Sequence, residues 1–390
     1  MPVWYRKLLE VQKSGDLQLV GLIQEQHPER CRLFMAWKQM RFPILVDALN
    51  RASVHAIPMM WALDEKGVVV RTRPSMDWLR EEFLPRKSVA KNGAENAASR
   101  PALRRVEEGA GVRAYLAGRW TEAVKAFARD CAARPSDGVP FFRLGCAYRA
   151  RFDSAEREEA DFQNAIDAWT QAIALSPANY IFRRRLQQYG PRLSKPYPFY
   201  SWVAQARREM KARGETPPPL RVEPKGSELA APLRGDLPAA SAPEKEPDPK
   251  AGVPSDDKDS VAFEAVLAPR PARLGANLAV HLIFRPSLAR GTTWDNGAGP
   301  LQVWLAPHKG LRVAHRLWTH PLPKQASTAE ERSIDFELAL PKESASPLFL
   351  RGYALYFVCE KKSGLCTFLR RDFKIEIPLQ KPKSKKGSGG

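Results

Sequence analysis

Few side chains in this chain are equipped for covalent chemistry, and the cysteines are the first to weigh. There are five of them, with six histidines, in 390 residues. Cys359 and Cys366 stand apart because they end and begin two apolar runs, 349–359 and 366–377, across the polar stretch EKKSGL. Such runs around a short polar stretch predict a β-hairpin, and Ser363-Gly364 supplies the positive φ that its turn needs. The two cysteines can then sit nearly opposite, within the ~5.5 Å Cα separation that a disulfide tolerates. A bridge closing so short a loop restricts the unfolded chain by only roughly 2.5 kcal/mol, against roughly 4.7 for a loop of a hundred residues. As a staple it is modest, and exposed bridges are the ones that exchange. On the residues alone two readings stay open: an inert hairpin disulfide of the kind secreted β-domains carry, or a pair that passes electrons.

The other candidates are weaker. Cys31 shares a helical face with Phe34 and Trp37, and Cys131 and Cys146 each follow a phenylalanine by one turn, so all three read as packed thiols. His308, His315 and His320 are not spaced with a cysteine pair as a zinc site requires. Phosphate loops, zincin motifs and nucleophile elbows do not occur. No cofactor or metal is therefore expected.

Composition narrows the partners. With 62 Lys and Arg against 43 Asp and Glu, the net charge is +19, which invites an acidic partner. The excess is dispersed, however, between Lys381, Lys383, Lys385 and Lys386 near the C-terminus and arginines at 183–185 and 370–371. Lacking a zinc finger, an RNP-type aromatic motif or a basic heptad, it predicts solvated basic faces and no nucleic-acid binding. No apolar run reaches the ~18 to 20 residues of a membrane span. Residues 1–16 are amphipathic and charged, unlike a secretory signal.

The elements that must position these residues fall into segments of different periodicity. Ten of the 34 prolines lie in 214–260, which reads as a disordered linker, and a polar break at 86–103 reads as another. Residues 1–85 alternate patterns in an α-β-α-β-β-α order: helix 4–12, strand 17–23, helix 28–40, an apolar stretch 42–46 leading to Ile57-Pro58, a hairpin of 59–63 with 68–71, and helix 78–84. Across 104–213 a small, large and proline trio recurs, Ala123, Phe127 and Pro135 and then Ala165, Trp169 and Pro177, with Phe141, Leu144, Gly145 and Tyr148 leading the second copy. A further unit begins at 180–189, and 199–213 is expected to cap the last apolar face. Residues 261–379 predict short strands at 261–267, 276–284, 301–305, 311–317, 333–340, 349–359 and 366–377, an antiparallel β-sandwich, and 380–390 a disordered basic tail.

Three resemblances follow from these residues. The stretch HAIPMMWALDEKGVV, with Ile57-Pro58 just before a strand, resembles the thioredoxin-like redoxin family, which implies a cis Ile57–Pro58 loop facing the active site. That family's first strand and C-x-x-C have no counterpart, because Met1-Pro2-Val3-Trp4 stands in their place. The expectation is a misassigned start or a truncated module without dithiol chemistry. The recurring trio resembles tetratricopeptide repeats, of period ~34, which implies a groove for a peptide or protein segment. The segment GYALYFVCEKKSGLCTFLRRDFKIEIPL resembles the N-terminal domain of DsbD and its relatives, the disulfide-bond corrector family. This last resemblance implies an immunoglobulin-like sandwich of the bacterial periplasm. It also implies that Cys359 and Cys366 are the exchanging pair, with Cys366 forming the mixed disulfide and Tyr353, Tyr356 and Phe357 as an aromatic shield. Its partners would be thioredoxin-like or other thiol-redox proteins.

The expected class is thus multidomain: a truncated α/β thioredoxin-like segment, an all-α tetratricopeptide array and an immunoglobulin-like antiparallel β-sandwich. The expected function is thiol–disulfide exchange, the alternative being a non-enzymatic scaffold with silent flanking domains. The location is extracytoplasmic by resemblance, with an N-terminal truncation to explain the missing signal, and otherwise cytoplasmic.

Overall fold

Short apolar runs that cannot pair with their sequence neighbours set the first part of the fold. In the computed structural model, which describes residues 7–9, 11–13, 15–85, 109–190, 202–220, 244–308, 310–344, 347–361 and 363–380, β1 (Gly21–Ile23) and β2 (Ile44–Val46) pair in parallel. Parallel strands need a crossover, and α1 (Glu29–Trp37) supplies it. Strands β3 (Trp61–Leu63) and β4 (Val69–Thr72) form the expected hairpin, its turn held by Asp64, whose Oδ1 accepts the N–H groups of Lys66 and Val68 at 3.0 and 2.9 Å. The two strand pairs are separate two-stranded sheets. With no described strand between them they share no ladder, so the continuous sheet of a thioredoxin-like segment is not built.

The helices follow: α2 (Ala110–Leu116), α3 (Trp120–Ala133), α4 (Gly138–Phe152), α5 (Asp161–Leu175), α6 (Tyr180–Tyr189) and α7 (Trp202–Ala212). Asp137 caps α4 by accepting the N–H of Val139 at 2.9 Å. The repeated trio does report helix-on-helix packing: Ala123, Phe127, Ala165 and Trp169 are buried, and a Cβ on Gly145 would lie 2.4 Å from the Trp169 ring.

The all-α array nevertheless has to be corrected. The chain divides into two units, one of residues 1–157, 168–185 and 200–223, the other of 158–167, 186–199 and 224–390, and the boundary cuts through α5 and α6. Within the first unit the helices are bonded to the N-terminal strands and loops. Arg185, 1% exposed, donates to Gln26 at 2.8 Å and to the Ala48 carbonyl at 2.9 Å, and Gln26 donates to the Cys146 carbonyl at 2.7 Å. The expected cap, α7, packs on α1 through Leu33, Trp37, Ala206 and Met210, with Trp37 stacked on Trp202 at 6.1 Å. Small-and-large spacing records that helices touch and is silent on what else they touch. A peptide groove resting on a free-standing repeat array therefore loses its basis.

In the second unit lie β5 (Val261–Ala268), β6 (Asn277–Pro286), β7 (Thr292–Asp295), β8 (Gln302–Leu305), β9 (Arg312–Val313), β10 (Leu317–Thr319), β11 (Ser327–Thr328), β12 (Arg332–Ala339), β13 (Leu348–Glu360) and β14 (Cys366–Ile377). One sheet runs β5-β6-β12-β9. In the other, β13 pairs with β14 along one edge and with β8 and then β7 along the opposite edge, β10 and β11 lying outside those. Both sheets feed one core that includes Leu282, Phe284, Trp294, Val303, Phe336 and Tyr356. This unit is not purely β. Gln163, near the start of α5, donates to the Leu267 carbonyl at 3.0 Å and accepts its N–H at 2.7 Å, closing part of the open edge of β5. Two mixed units thus replace the three-part class expected from sequence, a separate immunoglobulin-like sandwich included.

The tract read as a linker is described at 214–220 and 244–260. The second stretch is bonded to the sheets: Arg370 donates its N–H to the Pro254 carbonyl and accepts that of Asp256, both at 2.8 Å. The break at 86–103 and the tail from 381 lie outside the described residues. Among the described residues no helix is long and apolar enough to cross a membrane.

Candidate functional site

Strand β13 reaches its full length because β14 pairs with it from Leu348↔Ile377 to Cys359↔Cys366. Beyond the last pair Glu360 donates its N–H to Leu365 at 2.9 Å, Gly364 donates to Glu360 at 2.9 Å, and Gly364 takes φ +68°. Glu360 and Leu365 are thus hydrogen-bonded partners, so the cysteines form the alternate kind of pair, in which side chains approach most closely. Their Cα atoms are 3.9 Å apart and their sulfurs are bonded. Cys359 is half-buried and Cys366 is exposed. Arg290, at 2.7 Å from Glu360, and the Lys361 N–H, 3.2 Å from the Gly291 carbonyl, anchor the tip.

Strand alternation sorts the aromatic residues. Phe357 and Phe368 are cross-strand partners on the face that carries the cysteines, stacked at 4.2 Å. Tyr353 is on that face but six residues, roughly 20 Å, down the strand. Its hydroxyl donates to Glu246 at 3.2 Å and accepts the N–H of Asp248 at 3.0 Å. Burial, with the Glu246 carboxylate adding and the Asp248 N–H opposing, pushes that hydroxyl up to about 12. Tyr356 faces the core and donates to Asp256 at 2.7 Å; burial first, then the Asp256 charge, pushes its ionisation up. Of the three residues expected to shield the pair, Phe357 is placed to do so, whereas Tyr353 and Tyr356 fasten residues 246–256.

A carboxylate not anticipated from the sequence completes the site. Strand β7 pairs with β13 so that Cys359 opposes Thr293, which puts Asp295 diagonal to Cys359 on the same face. A ligand oxygen of Asp295 and the two sulfurs all lie within 4.8 Å of one another. Its Oδ1 accepts the N–H groups of Gly297 and Ala298 at 3.1 and 3.2 Å, which fixes the carboxylate. The four-residue run TTWD carries too little alternation to be read as a strand, so no signal tied Asp295 to the pair.

Ile57 and Pro58 belong to the first unit, shortly before β3; their peptide is cis and Ile57 is 55% exposed. The free thiols are not activated. Burial raises Cys31, with the Glu25 charge adding; burial and then Asp130 push Cys131 up to about 11; and burial raises Cys146.

No family model matches the chain, and no curated protein matches it. Among solved structures, a FixG-related protein from Vibrio parahaemolyticus aligns at 7% identity over 30% of this chain and 95% of that one, with a TM-score of 0.15, an overlap too slight to argue from.

Proposed function

We propose that this protein exchanges thiols and disulfides through Cys359 and Cys366. The observation that carries the reading is a bridge at a hairpin tip with Cys366 exposed and Cys359 half-buried. Exchange proceeds by attack of a thiolate on one sulfur of a bridge. A thiolate of a reduced dithiol partner attacks Cys366 Sγ, the Cys359–Cys366 bond breaks, and Cys359 leaves as a thiolate that takes up a proton. The partner's second thiol, losing its proton, then attacks the partner sulfur of the mixed disulfide and releases Cys366. Two electrons and two protons pass to this chain, and the partner leaves oxidised. Run backwards, the same steps reduce a partner disulfide.

The partner class is a thioredoxin-like or other thiol-redox protein, a reading that the likeness of 352–379 to the disulfide-bond corrector family supports. An oxidising, extracytoplasmic compartment is the setting in which such a bridge forms and persists. A trapping experiment tests the order of attack. The Cys359→Ser chain, offered a redox protein whose single remaining cysteine is activated with thionitrobenzoate, should form a covalent adduct through Cys366 that dithiothreitol releases. The Cys366→Ser chain should form it at least tenfold more slowly. Equal rates would refute Cys366 as the entry sulfur.

A further inference from the structure

Three strands converge on one small volume: β13 brings Cys359, β14 brings Cys366 and β7 brings Asp295, their sulfur and oxygen atoms within 4.8 Å of one another. We propose that, once the bridge is reduced, these three side chains bind a Zn2+ ion, with water in the fourth position. Zinc takes thiolate sulfur at about 2.3 Å and carboxylate oxygen at about 2.0–2.2 Å, usually in a tetrahedron. The corresponding edges are about 3.8 Å between sulfurs and about 3.5 Å from sulfur to oxygen. Once the bridge is reduced, side-chain rotation lets the sulfurs part to such an edge with the sheet unmoved.

The donor set selects the ion. Two thiolates disfavour Ca2+ and Mg2+, which take oxygen, and the carboxylate favours Zn2+ over Cu+, which prefers sulfur alone. The Gly297 and Ala298 N–H groups orient the carboxylate in the way outer partners orient a metal ligand. The chemistry balances. Two electrons and two protons from a reduced dithiol convert the bridge to two thiols, the donor becoming a disulfide; Zn2+ then displaces both thiol protons and forms two Zn–S bonds. A bound ion occupies the sulfur electron pairs that would attack a partner, so it holds the pair reduced and silent.

The inference shares with the exchange reading only the reducibility of the pair, and chemical reduction separates their failures. The full chain, reduced with a phosphine and kept anaerobic, is titrated with Zn2+ against a chromophoric chelator, beside the oxidised chain, a Cys359→Ser/Cys366→Ser double variant and Asp295→Asn. Expected are one equivalent bound by the reduced chain and none by the oxidised chain or double variant, with affinity at least tenfold weaker in Asp295→Asn. Zn2+ should also slow alkylation of Cys359 and Cys366 while leaving Cys31 unchanged. Equal binding by the reduced chain and the double variant would overturn the site, and undiminished binding by Asp295→Asn would remove the carboxylate from it. Asp295→Ser, which keeps an acceptor for the Gly297 and Ala298 bonds without the charge, repeats the test should Asp295→Asn misfold.

Discussion

At the level of single residues, the proposed chemistry rests on two sulfurs and one carboxylate, and their surroundings give each a different role. In the proposed exchange the exposed Cys366 is the sulfur that a partner reaches, and Cys359, beside its paired strand β7, is the one displaced. Asp295 adds a negative charge within 4.8 Å of both. Two unit charges at that distance repel by about 1 kcal/mol in water and by about 3 kcal/mol at an effective dielectric constant of 20. A half-exposed site lies between these limits. The charge disfavours a thiolate beside it, so Asp295→Asn should speed iodoacetamide alkylation of the reduced pair at pH 7.5 by roughly threefold to tenfold. An unchanged rate would mean that the carboxylate does not act on the sulfurs. The pair itself was legible in the sequence, because two cysteines at the ends of facing apolar runs leave little choice of geometry. Asp295 was not, since its relation to Cys359 exists only through a strand too short to show a period. Tyr356, expected by resemblance in the aromatic shield, lies on the face of β13 opposite Cys359, since residues an odd number apart point to opposite sides of a strand.

At the scale of elements, long alternating runs were readable and short or locally bonded segments were not. The expected strand 349–359 matches β13 to within a residue at each end, and 366–377 coincides with β14. The stretch 244–260 shows the opposite case. Proline density suggested a solvated linker, but two aspartates gather its backbone. Asp248 accepts the N–H groups of Gly252 and Val253 at 2.9 and 3.4 Å, and Asp256 accepts those of Ser260 and Val261 at 2.9 and 3.0 Å. Side-chain bonds of this sort replace a ladder without leaving any periodicity to detect. The result is a strap whose residues 254–256 run beside β14 and occupy part of its outer edge.

At the scale of the whole molecule, the division into helical and β parts failed because buried polar contacts tie segments of different periodicity together. In the first unit His27, Arg149 and Asp153 form a cluster, each at most 6% exposed, with His27 and Arg149 nitrogens each 2.9 Å from Asp153 Oδ2. Burial opposes the charge on Asp153, but Arg149 and the hydrogen bonds from His27 and Arg149 outweigh it and hold the carboxyl at about 2. A folded value below the ordinary one contributes stability that is fully present above about pH 4 and is lost as pH falls through 2. Asp153→Asn, which removes the carboxylate charge that faces Arg149 and His27 in this buried cluster, should destabilise the first unit at pH 7 by about 3 kcal/mol. The gap from the unchanged chain should narrow between pH 4 and 2, as followed by thermal melting. A gap independent of pH down to 2 would place the cost in packing instead of charge. No pattern of apolar residues announces such a cluster, because its members are polar and come from segments far apart in the chain.

Whether the bridge between Cys359 and Cys366 opens to a reduced partner is directly measurable. The oxidised full chain is incubated with a reduced C-x-x-C protein, quenched by alkylation and mapped by peptide mass. Alkyl groups are expected on Cys359 and Cys366, with oxidation of the partner in equal amount. A pair that stays bonded while an exposed control disulfide exchanges fully would contradict it.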